Sequence, residues 1–173
     1  MTVRLRGHHL LCLLTFSGHG YTPGFTRNME RVARRLAAGE EAEMVEGPDD
    51  ICAALMDELG PEDAHCTLCH VGDRDRKAIA AVSDLIGRSL APPGRVTFDH
   101  DTLTRLRTAF AGGTIRAACE DCEWSDFCTA IAASGFAGTR LAAPRKAPAA
   151  RSAALSPSAV SAAGATVRTP REE

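Results

Sequence analysis

The chain has 173 residues, a formal charge of −2, 45% hydrophobic residues and 24% charged residues. That balance is ordinary for a globular protein and excludes a wholly disordered chain, a coiled coil and a strongly basic nucleic-acid binder. No apolar run approaches the roughly 18 residues a membrane-crossing helix needs, aromatic residues make up only 5%, and seven cysteines stand out.

Residues 2–6 (TVRLR) alternate apolar and polar, which predicts a short strand. Gly7 leads into a helical run through HHLLCLLTF, broken at Gly18–Gly20. Thr22 followed by Pro23 opens a second helix, with Thr as cap and Pro in the first turn. Phe25, Met29, Val32 and Leu36 share one face of it, arginines take the other, and Gly39 ends it. Residues 42–46 (AEMVE) predict a second strand, stopped by Gly47 and Pro48. Asp49 or Asp50 then caps a short helix holding Cys52, Leu55, Met56 and Leu59.

Gly60 and Pro61 open a loop carrying His65, Cys66, Cys69 and His70. Asp73 or Asp75 is expected to start a third long helix, with Ile79, Val82, Leu85 and Ile86 inward. Pro92-Pro93-Gly94 is a turn, 95–98 (RVTF) a third strand, and Asp99 or Asp101 the cap of a helix ending at Gly112-Gly113. The run CEDCEWSDFCTAIAASGF reads as a cysteine loop feeding a last helix. The expected fold is α+β and mainly helical, with five or six helices and three short strands. The folded domain is expected over residues 1–141.

From Ala142 onward the composition turns to Ala, Pro and Ser, with five basic and two acidic residues. So few large apolar groups cannot offset the entropy of ordering, so 142–173 is expected to be a disordered basic tail. Near the start, Arg4 and Arg6 precede an apolar run as in a signal peptide, but His8 and His9 interrupt it and no A-x-A-like site follows. A cytoplasmic location is therefore expected. Thiols there are kept reduced, which favours metal or redox chemistry over structural disulfides.

The strongest local signal is Cys119-Glu-Asp-Cys122-Glu-Trp-Ser-Asp-Phe-Cys128. Three thiolates from one short loop, with a fourth from elsewhere, commonly hold an iron–sulfur cluster, and four sulfurs also suit tetrahedral zinc. Trp124 inside the loop is a core anchor or a shield over such a group. Cys66 and Cys69 form a second C-x-x-C pair, too far from the first for a compact zinc ribbon. Cys52 lies near a helix N-terminus, where a thiolate is favoured. Cys12 follows His8 and His9 at helical spacings, although a lone histidine near an apolar helix is more often structural than a ligand. The sequence has no P-loop, GxGxxG, HExxH or GxSxG motif.

The segments RGHHLLCLLTF, GYTPGF, VEGPDDIC, AHC and CEDCEWSDFC, in this order, resemble a bacterial and archaeal family of short proteins. That family is catalogued as a domain of unknown function and suspected of binding iron–sulfur. The resemblance covers about residues 3–141 and implies cysteine ligands at Cys12, Cys52, Cys66, Cys119, Cys122 and Cys128, with Cys69 an extra of this chain.

Three readings follow. The first is an iron–sulfur protein with a 4Fe–4S cluster on Cys119, Cys122, Cys128 and Cys52, with Cys12 or Cys66 able to replace the last. It would serve electron transfer or redox sensing with a redox partner. The second is a zinc-stabilised interaction module using Cys66, Cys69, Cys119 and Cys122. The third is a metal-free thiol protein. No membrane partner is expected, and the charge balance argues against nucleic acid, the basic tail being the one segment that leaves it open.

Overall fold

A computed structural model describes residues 2–60 and 62–143. Most of the expected basic tail, residues 144–173, lies outside them. The elements are β1 (Thr2–Leu5), α1 (His9–Thr15), α2 (Pro23–Ala37), β2 (Glu41–Met44), α3 (Cys52–Leu59), α4 (Cys69–Ile86), β3 (Arg95–Val96), α5 (His100–Ala111), a 3-10 turn (Ala117–Cys119) and α6 (Ser125–Ala133). The fold is α+β and mainly helical, as expected.

The three strands form one sheet in the order β1-β2-β3. β1 runs parallel to β2, pairing Thr2 with Glu41 and Leu5 with Met44. The return between parallel strands needs a crossover, which α1 and α2 supply. β3 adds antiparallel to β2, pairing Ala42 with Val96. The alternation read in the sequence sends Val3, Leu5, Ala42, Met44 and Val96 inward, all buried.

α1 is apolar around its circumference, as a core helix must be. Leu10, Leu11, Leu13 and Leu14 are wholly buried, and each such side chain stabilises the fold by about 1.5–3 kcal/mol relative to exposure. α5 and α6 pack on this helix and on one another. α2 starts as expected: the Thr22 hydroxyl accepts a hydrogen bond from the Phe25 amide at 3.0 Å. Its apolar face of Phe25, Met29, Val32 and Leu36 is buried. Asp99 caps α5 by accepting from the Thr102 amide at 2.8 Å.

One helix start differs from expectation. α4 begins at Cys69, so Cys69 and His70 belong to its first turn rather than to a loop. Asp75 does not cap it. Its carboxylate is buried within the helix and accepts from the Arg6 Nε at 2.8 Å. The acidic residue is used for a tertiary ion pair with β1's exit, which a local cap pattern does not reveal. The strands are also shorter than read: β2 ends at Met44 and β3 at Val96, although the Val45 amide still donates to the Leu5 carbonyl at 2.9 Å.

Where the chain leaves β1 it comes up against α4. A Cβ on Gly7 would lie 2.2 Å from the Asp75 backbone oxygen, so only glycine permits this approach. Gly7→Ala is expected to lower stability by about 1–3 kcal/mol, the usual effect of overpacking, read as a fall in the urea midpoint. An unchanged midpoint would show that the two backbones can separate freely.

Candidate metal centre

Cys12, Cys119, Cys122 and Cys128 line one cavity of about 100 Å³, together with Thr15 and Trp124. Each cysteine comes from a different local setting. Cys12 is on α1, Cys119 ends the 3-10 turn, Cys122 is in the loop, and Cys128 is in the first turn of α6. The Cys119 carbonyl accepts from the Cys122 amide at 3.2 Å, and the Cys122 carbonyl from the Ser125 amide at 2.9 Å. Two successive tight turns thus wind the C-x-x-C segment into α6 and bring its thiols to the wall that α1 faces.

Burial pushes the Cys12 thiol well above its ordinary range, and the neighbouring Cys128, Cys122 and Cys119 add to the rise. Burial likewise raises Cys119 and Cys128. The Thr15 hydroxyl donates to Cys128 Sγ at 3.1 Å, and Arg74 and Arg116 oppose the rise at Cys12 and Cys119 respectively. Trp124 carries a buried indole N–H with no hydrogen-bond partner among the described residues. Tyr21 and Phe127 meet its ring edge-on, with centroids 5.6 Å and 5.7 Å away. These three rings form one side of the cavity that the thiols line.

Cys52 is not with this group. It lines a neighbouring cavity of about 310 Å³ with Cys66, Arg6 and His70, and His8, His9, Arg74 and Cys122 border both spaces. Cys69 is exposed and lines neither. The two C-x-x-C pairs therefore do not close on one cavity. A groove of about 950 Å³ lies along α4 away from every cysteine; it is open to solvent and, among the described residues, gathers no ligating cluster.

The segment Arg6–His9 is held by two buried carboxylates. Asp49 Oδ1 accepts the amides of Ile51 at 3.0 Å and Cys52 at 2.9 Å, capping α3. Its Oδ2 accepts the Arg6 amide at 2.9 Å and His9 Nδ1 at 2.7 Å. Asp75 Oδ1 accepts His8 Nδ1 at 2.7 Å, and its Oδ2 accepts the Arg6 guanidinium. Despite burial, these bonds hold both carboxyls below their ordinary range. An ionised carboxylate only accepts, so each histidine carries its hydrogen on Nδ1 and a neutral ring leaves Nε2 bare. Sequence reading took both aspartates for helix caps. Their histidine partners lie 40 and 67 residues away, beyond any local signal.

Burial, with His9 alongside, lowers His8 from an ordinary value of 6.5 to about 4. The unfolded chain therefore takes up this proton before the folded one as pH falls. In the metal-free protein, stability should decline from about pH 6.5 towards 4, by at most about 3 kcal/mol. His8→Gln should flatten the urea midpoint between pH 6.5 and about 5, above the range where carboxylates titrate. A slope that survives His8→Gln assigns the proton elsewhere.

Among the described residues, no helix is long and apolar enough to cross a membrane. A family profile described as "Protein of unknown function (DUF1284)" matches residues 20–128. No curated protein and no solved structure matches the chain.

Proposed function

We propose that this chain, which belongs to the DUF1284 family of proteins of unknown function, binds an iron–sulfur cluster of the 4Fe–4S type and serves electron transfer or redox sensing. The observation that carries this reading is the sharing of one small cavity by Cys12, Cys119, Cys122 and Cys128. Cys12 takes the place that sequence reading gave to Cys52.

The cavity's contents fit such a group. Its volume of about 100 Å³ is below the roughly 300–1,000 Å³ of small-molecule sites, so a compact inorganic group suits it better than a metabolite. Four thiols are the usual ligand set of a cubane cluster. Among the described residues, the donors packed within 4.8 Å of one another are His9, Asp49 and Cys52 rather than this quartet. That spread exceeds what four thiolates about 2.3 Å from a single zinc would require. The Trp124 N–H and the Thr15 hydroxyl are donors of the kind that stabilise cluster and cysteine sulfurs.

The raised thiols speak against Cys12, Cys119 or Cys128 as a metal-free nucleophile. A reactive cysteine needs its thiolate at neutral pH, whereas burial keeps Cys12, Cys119 and Cys128 protonated. Metal binding would release those protons and return the energy to the fold. A bound cluster would supply one-electron redox chemistry. Arg74 and Arg116 would offset its negative charge, and Trp124 would exclude water.

Protein purified without oxygen should be brown and carry iron and acid-labile sulfide in near-equal amounts. Cys12→Ser, Cys119→Ser, Cys122→Ser and Cys128→Ser should each lose most of both, while the exposed Cys69→Ser keeps them. Full iron and sulfide in Cys12→Ser would overturn the ligand set, and a colourless protein with stoichiometric zinc would overturn the cluster. Thr15→Val should keep the iron and lower the reduction potential, because a hydrogen bond to a ligand sulfur favours the reduced state. An unchanged potential by protein-film voltammetry would separate Thr15 from the redox centre.

A further inference from the structure

We infer that the cavity of about 310 Å³ beside the cysteine quartet binds a small organic cation carrying N–H donors, of which a short aliphatic diamine is the simplest form. The reason begins with the two histidines that border it. His9 is 7% exposed and His8 is half-buried. Asp49 holds His9 at Nδ1 and Asp75 holds His8 at Nδ1, each at 2.7 Å. A neutral ring held in this way presents Nε2 as an acceptor, and burial keeps His8 neutral down to about pH 4. Among the described residues no hydrogen bond reaches either Nε2, and neither atom is sealed from solvent. The rings stand 4.4 Å apart, close enough for one group with several N–H donors to serve both. A primary ammonium is such a group.

The charges around the cavity select a cation. Asp63, Asp121 and Glu123 line it, and so do the guanidiniums of Arg6 and Arg74. Arg6 is spent on Asp75 at 2.7 Å, which leaves Arg74 alone against the three carboxylates. Behind His9, the Asp49 side chain is 0% exposed, and Arg6 reaches it only through its backbone amide at 2.9 Å. A buried carboxylate without a full cationic partner is costly, and an ammonium on the far side of His9 would offset it. Hydrogen bonds ask less of this lining than a metal ion would. Asp49 has no acceptor position left to give, and the Arg6 guanidinium lies 3.9 Å from Cys52 Sγ. Phe25 and Leu55 supply apolar wall, which suits a methylene stem with one ammonium at the histidines and the other among the exposed carboxylates. The volume lies at the low end of the roughly 300–1,000 Å³ of small-molecule sites.

The site does not rest on the cluster, and the test reads the two separately. 1,4-Diaminobutane is titrated calorimetrically into the full chain at low salt, on protein purified without oxygen, and iron and sulfide are measured on the same samples. Wild type should bind one equivalent. 1-Aminobutane, which lacks the second charge, should bind more weakly, and 1,4-butanediol should not compete. Asp121→Asn combined with Glu123→Gln, both at exposed positions, should weaken diamine binding about threefold or more, the usual worth of two exposed ion pairs. His8→Phe removes one acceptor and should weaken it about tenfold. Glu41→Gln, on β2, alters a carboxylate that does not line the cavity and should leave the affinity unchanged. Circular dichroism checks the fold, and the exposed double variant serves if His8→Phe does not fold. Absence of diamine binding overturns the proposal whatever the iron content. So does equal binding of 1,4-butanediol, or an affinity unchanged in the folded double variant. Diamine binding by a chain without iron supports this site and fails the cluster.

Discussion

Two buried aspartates hold the segment Arg6–His9, and the geometry around the cysteines depends on that grip. Asp49 and Asp75 arrive from different parts of the chain, and each accepts N–H donors at both of its oxygens. Asp49 ties the start of α3 to the end of β1, and Asp75 ties the middle of α4 to the same place. α1 begins at His9, so the clamp also sets the position of the helix that carries Cys12. Removing one partner from such a network leaves a buried charge uncompensated, which typically costs about 3–5 kcal/mol. The clamp therefore links the sheet, three helices and the cysteine cavity in one cooperative unit.

The thiols complete a second link between distant segments. Cys12 lies on a helix whose leucines are wholly buried, so it cannot move to seek a ligand. The C-x-x-C turns and α6 must come to it. They do so through the packing of α1 against α6 and the Thr15–Cys128 hydrogen bond. In the metal-free protein these protonated thiols are tolerated as small apolar groups. A metal bound there would join α1 to the last helix across the core, and folding and metal affinity would rise together.

What could be read from the sequence was local. Alternation in TVRLR, the Thr22-Pro23 start of α2 and the Asp99 cap of α5 each act within a few residues, and the structure has them at those places. Asp49 was legible as a cap for the same reason, since its bonds to the Ile51 and Cys52 amides span two and three residues. Its bond to His9 was not legible. Asp75 shows the limit more sharply. An aspartate in a helical stretch matches a cap pattern, but its partner Arg6 is 69 residues away, and pairing with a buried guanidinium outweighs a cap worth about 1 kcal/mol. The placing of Cys12 rather than Cys52 beside the other three thiols was hidden on similar grounds. A helix N-terminus is a local reason to favour Cys52, whereas Cys12 meets the other three thiols only because the last helix folds back over the first.

The adjacent histidines sit where two cysteine-lined cavities meet, with Cys122 bordering both. His8 and His9 border both cavities, yet each ring is held at Nδ1 by its own aspartate. Neither can rotate to serve the quartet without abandoning an ionised carboxylate in the interior, a loss larger than most single ligand bonds return after desolvation. The rings are therefore fixed where the two cavities adjoin. On one side lie the four thiols with Tyr21, Trp124 and Phe127. On the other lie Cys52 and Cys66 around a larger space. Arg6 enforces the division, because its guanidinium spans Asp75, the Cys66 carbonyl and the neighbourhood of Cys52. Those residues cannot drift towards Cys12 while that buried cation remains paired.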